Sequence, residues 1–131
     1  MSRLKKYNLL FLEDNELFAK NMSEFFGEYF KEVFHVTNIK DALKTFQEKN
    51  VHTVISDIKV EDGNGLEFVS KVRELDKSTP IVILSAHKDE DFLFKAIPLN
   101  LFDYLIKPIT YDTLITLLSS IENLLEEMHK E

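Results

Sequence analysis

Four short stretches carry side chains that could do chemistry together: Glu13-Asp14, Asp57, Ser85-Ala86 and Lys107-Pro108. Each follows an apolar run, at residues 7–12, 51–56, 81–84 and 102–106. Three carboxylates brought close raise one another's pKa unless a cation lies between them. Magnesium suits such a set, since it is a hard ion that takes oxygen ligands and keeps several waters. It would neutralise oxygens of a phosphoryl donor while Asp57 acts as the nucleophile and forms an acyl phosphate. Lys107 and the Ser85 hydroxyl would hold the remaining phosphoryl oxygens, which is phosphoryl transfer by positioning and charge neutralisation.

Each stretch alone has a plainer reading. An acidic pair after a strand is an ordinary helix start, favoured by the helix dipole. Ser85 could cap a helix, Lys107 could be a solvated loop lysine, and Asp57 alone is more often a turn residue. Joint occurrence at four strand ends favours function. A calcium loop is excluded by the letters: counting from Asp57, the third, fifth and sixth positions are Lys59, Glu61 and Asp62, with no glycine at the sixth.

The elements that must position these residues alternate along the chain. Apolar runs at 7–12, 33–36, 51–56, 81–84 and 102–106 read as strands, and the β-branched run at 51–56 fits one covered on both faces. Amphipathic stretches at 15 to about 29, after Thr37 or Asn38, 66–75, 89 to about 97 and from 110 onward read as helices. Leu17, Phe18, Met22, Phe25 and Phe26 are expected on one face of the first helix, Ala42, Leu43 and Phe46 on the second, and Val69 and Val72 on the third. Pro98 is expected to stop the fourth helix. The alternation implies an α/β fold with a parallel sheet and helices on both faces. In such sheets the ligand crevice lies outside the carboxyl ends of the strands.

With 131 residues and no linker or repeat, the chain reads as one domain, its core at about 7–122 and residues 122–131 extending the last helix. No cysteine excludes thiolate chemistry. Net charge of −7 argues against nucleic-acid binding. No apolar run is long enough for a membrane span or a signal peptide, so a cytoplasmic location is expected.

Taken in order, Glu13-Asp14, Asp57 with Gly65 eight residues on, Ser85-Ala86 and Tyr104-Leu105-Ile106-Lys107-Pro108 resemble the receiver domain of two-component response regulators, over nearly the whole chain. The resemblance implies a flavodoxin-like (βα)5 three-layer sandwich with a sheet of order 2-1-3-4-5. Asp57 would accept a phosphoryl group from the phosphohistidine of a sensor histidine kinase or phosphotransfer protein. Magnesium would be held by Asp14, Asp57, Glu13 through water, and the Lys59 main-chain carbonyl. Lys107 would pair with the phosphate beside a cis bond to Pro108. Ser85 would move to the phosphoryl group and Tyr104 would turn inward, reshaping the helix 4-strand 5-helix 5 face for a downstream protein or output domain. Such a domain promotes its own phosphorylation and dephosphorylation and turns over no external substrate.

Several positions depart from the family pattern. Glu61 stands where receivers often carry Pro, which predicts a less stiff, more negative loop. Lys59 and His87 lie where phosphate lifetime tends to be tuned, with an exposed loop histidine as the alternative for His87. Asn100-Leu101 stands where many receivers have Gly-Ala. These departures motivate a second function, a receiver-like interaction module that works without phosphorylation. An aspartyl-phosphate hydrolase is disfavoured because its acid/base position is Lys59, and flavin binding because Glu13-Asp14 would repel the phosphate. His35, His52 and His129 lack metal-ligand spacing and read as structural or exposed.

The last helix keeps an apolar stripe through Leu118, Ile121, Leu125 and Met128. Beyond Ile121 it is expected to outrun the sheet. A homodimer through this helix or the helix 4-strand 5-helix 5 face, or a stalk into an output domain, is the corresponding expectation.

Overall fold

The computed structural model describes residues 1–86 and 90–130. Five strands, β1 (Asn8–Leu12), β2 (Glu32–Val36), β3 (Thr53–Ser56), β4 (Ile81–Ser85) and β5 (Asp103–Ile106), form one parallel sheet of order β2-β1-β3-β4-β5. Five helices alternate with them: α1 (Glu16–Gly27), α2 (Ile39–Glu48), α3 (Gly65–Leu75), α4 (Glu90–Ala96) and α5 (Tyr111–Met128). This is the expected flavodoxin-like architecture. The three central strands are buried along their whole length, as their continuous apolar letters require, and the edge strands are partly exposed. Alternate strand residues feed two core layers. Leu9, Phe11, Ile55, Val82 and Leu84 pack with α1 and α5, and Leu10, Leu12, Val54, Ile81 and Ile83 with α2 and α3.

Short polar side chains set the helix starts. Asn15, Asn38, Asn64 and Thr110 each accept a backbone N–H from the first turn of the helix that follows. Asn38, rather than Thr37, is thus the cap of α2. No helix among the described residues is long and apolar enough to cross a membrane.

Two expectations need correction. Leu17 is 70% exposed, because the buried face of α1 runs through Ala19, Met22 and Phe26. At about 100° per residue, Leu17 lies roughly 160° from Ala19. Pro98 stops α4 as expected: the α-helix ends at Ala96, and a 3-10 turn, Ile97–Leu99, follows and closes at Asn100 in the left-handed region (φ 53°). The loop after β3 folds into a two-stranded ribbon, Lys59–Val60 against Gly63–Asn64, which the sequence reading did not anticipate.

The second correction concerns the last helix. Its stripe is covered through Leu125, because a 3-10 turn at Ser2–Lys6 lays Leu4 into the same core layer as Leu118, Ile121 and Leu125. The Arg3 backbone N–H donates to Glu122 Oε2 (3.1 Å), Lys6 Nζ lies 2.8 Å from Glu126 Oε1, and Tyr7 OH donates to the Leu125 carbonyl (3.4 Å). The packed core therefore begins at Leu4 and runs past residue 122. Met128 alone of the stripe stays exposed.

Candidate functional site

The strand ends converge as the topology requires. Glu13, Asp14 and Asp57 each place a carboxylate oxygen within 4.8 Å of the others. The backbone of Glu13 and of Asp57 is pinned by neighbouring strands. The Glu13 N–H donates to the Val36 carbonyl (3.0 Å), and its own carbonyl accepts from His35 Nε2 (2.8 Å). The Asp57 N–H donates to the Leu12 carbonyl (2.9 Å), and its Oδ1 accepts the Ile58 N–H (2.7 Å).

Lys107 arrives from the end of β5, where its N–H donates to the Ser85 carbonyl (2.7 Å) and its bond to Pro108 is cis. Its Nζ lies 2.7 Å from Glu13 Oε1 and 3.4 Å from Asp57 Oδ2. The Glu13 side chain is only 1% exposed. Burial pushes its carboxyl up, and the Asp57 charge pushes the same way. Hydrogen bonds from Lys107 and the Asn15 N–H oppose them. A buried carboxylate beside two others with one ammonium leaves a local excess of negative charge.

The loop after Asp57 is shaped by close contact. Gly65 donates its N–H to the Ile58 carbonyl, and a Cβ there would overlap the Asp57 carbonyl oxygen. Lys59 lies exposed in the ribbon. Ser85 ends β4 fully buried. Tyr104 packs against the second core layer and borders a cleft of about 320 Å³ with Leu93, Ala96, Ile97, Asn100 and Leu101. His87 lies outside the described residues.

Two contributors escaped the sequence reading. Phe18, expected only to fill the core, lies with its ring centroid 4.1 Å from Lys107 Nζ. His35, read as structural or exposed, is exposed and donates from Nε2 to the Glu13 carbonyl, a structural role. Asp62 accepts the N–H groups of Ile39 (2.7 Å) and Lys40 (3.2 Å) at the start of α2, which hold its carboxyl below the ordinary aspartate range. Only Asp62, beside Gly63, carried a local hint, that of a turn.

The family model described as the response regulator receiver domain matches residues 9–119. The transcriptional regulatory protein CrdR of Helicobacter pylori is 30% identical over 107 residues, which cover 81% of this chain and 50% of that protein. The chain thus spans about half the length of that relative. Among solved structures, the N-terminal domain of an uncharacterized protein from Wolinella succinogenes superposes with a TM-score of 0.86 at 22% identity, covering 95% of this chain and 99% of that one. Chemotaxis protein CheY4 of Vibrio cholerae gives 0.79 at 24% identity, covering 88% and 98%. With the family match spanning most of the sheet, four helices and the first half of α5, the chain belongs to the response regulator receiver domain family.

Proposed function

We propose that this domain is a phosphorylation-activated signalling switch in which Asp57 accepts a phosphoryl group from the phosphohistidine of a histidine kinase or phosphotransfer protein. The observation that carries the reading is the Lys107 ammonium set between the Glu13 and Asp57 carboxylates, with Asp14 in the same cluster. An Asp57 oxygen attacks phosphorus as the P–N bond of phosphohistidine breaks, and the imidazole leaves with its electron pair and takes up a proton. Lys107 then balances charge on the phosphoryl oxygens, and the Ser85 hydroxyl hydrogen-bonds to them.

The donor set fits magnesium, because three carboxylates offer only oxygens and outnumber the one ammonium that touches them among the described residues. Glu13, Asp14, Asp57 and the Lys59 carbonyl would hold it. Once bound it would neutralise oxygens of the phosphoryl donor. Ser85 and Tyr104 pass the change to the face made by α4, β5 and α5, where an output domain or a downstream protein binds. Lys59 and His87 tune the phosphate lifetime, and the domain works in the cytoplasm.

The test is intact-protein mass after incubation with acetyl phosphate, with and without magnesium, for wild type and Asp57→Asn. One magnesium-dependent phosphoryl adduct, absent in the variant, is expected. A wild type that binds magnesium yet gains no adduct would favour the phosphorylation-independent module.

A further inference from the structure

The Lys107 ammonium has two carboxylates as neighbours and, in addition, an aromatic face. We propose that Phe18 is a positioning residue for phosphoryl transfer, its ring holding the Lys107 ammonium beside Asp57. The inference rests on Asp57 being the phosphoacceptor.

A lysine head is a strongly hydrated point charge on a flexible stem, so an ion pair alone fixes it poorly. Here Glu13 is the nearer carboxylate, at 2.7 Å against 3.4 Å for Asp57. Left to these two and to water, the ammonium would settle on Glu13. The Phe18 ring, 4.1 Å away, attracts the cation through its quadrupole without supplying a hydrogen-bond acceptor. It therefore restrains the head while leaving N–H donors for Asp57 and for an incoming phosphoryl oxygen.

The backbone that carries the ring is tied to the carboxylate beside the ammonium. The Phe18 N–H donates to Asn15 Oδ1 (3.0 Å), and the Asn15 N–H donates to Glu13 Oε2 (3.1 Å). Asn15 thus ties the Glu13 carboxylate to the helix turn that carries the ring. The ring itself is distinguished from one that merely fills the core by its 4.1 Å approach to the Lys107 ammonium.

The experiment compares wild type, Phe18→Leu, Phe18→Tyr and Asp57→Asn by two readouts. In the unphosphorylated protein with magnesium absent, the Lys107 ε-methylene protons should be shifted upfield by the ring current in wild type and Phe18→Tyr, and lose that shift in Phe18→Leu. With acetyl phosphate and magnesium, Phe18→Leu should form the Asp57 adduct about three- to tenfold more slowly, the range expected for a partly desolvated cation–π contact. Phe18→Tyr should restore the rate. An unshifted Lys107 in wild type overturns the proposal whatever the variants do. So does a wild-type rate in Phe18→Leu, or an equal loss in both variants, which would assign the effect to packing. A wild type that gains no adduct overturns the Asp57 reading, and the positioning role falls with it.

Discussion

A Cβ on Gly65 would overlap the Asp57 carbonyl oxygen and approach Ser56 Oγ to 3.0 Å. Neither neighbour can retreat easily, since Ser56 Oγ donates to that same carbonyl (2.7 Å) and the Asp57 N–H is bonded to Leu12. Gly65→Ala should therefore destabilise the domain by about 1–3 kcal/mol, as overpacking does. It should also slow adduct formation by moving Asp57 relative to Lys107. Equilibrium denaturation and intact mass check the two effects, and a variant that matches wild type in both would refute the contact. At this scale the convergence of Glu13, Asp14, Asp57 and Lys107 was legible, because each closes an apolar run and a parallel sheet brings such ends together. Phe18 was not legible as a partner of Lys107. Its letter fits the apolar period of α1 equally well, and a ring beneath a distant ammonium leaves no local pattern.

Among the elements, the ribbon and α2 are joined by Asp62. Its carboxylate takes the N–H groups of Ile39 and Lys40, and Asn38 takes that of Asp41, so the first three donors of α2 are all satisfied. Negative charge is favourable there. The loop that has Glu61 where receivers often carry Pro is thus held by a tether to a neighbouring helix. Asp62→Ala should speed amide exchange at Ile39 and Lys40 and weaken magnesium binding, because the Lys59 carbonyl lies in the tethered ribbon. Asp62→Asn, which keeps an oxygen acceptor but no charge, should fall between. Unchanged magnesium affinity in Asp62→Ala, measured by calorimetry, would mean that the ribbon's own ladder suffices. Five strands and five helices were readable from periodicity, but strands of two residues are too short to show a period. The tether joins positions far apart in sequence, so only the folded chain displays it.

The whole molecule is closed at the end opposite the carboxylates by its first residues. Tyr7, His52 and His129 meet there, with ring centroids 5.1–5.6 Å apart, joining the start of β1, the approach to β3 and the end of α5. An apolar stripe reads the same whether a second copy or the chain's own first turn covers it, so the sequence reading stopped short at Ile121. The junction has a protonation requirement. The Asn8 N–H donates to His52 Nδ1 (2.9 Å), so that nitrogen must be unprotonated. Burial, then the charges of His129 and Lys31, lower the His52 pKa below its ordinary value near 6.5. The unfolded chain consequently binds the proton more readily than the folded one. The stability this junction contributes is complete above about pH 6.5 and drains away as pH falls towards the lower folded value. His52→Asn keeps an acceptor for Asn8 and cannot titrate. Between pH 7.5 and 5.5 the wild-type melting temperature should fall more steeply than that of His52→Asn, and parallel curves would place the titrating group elsewhere.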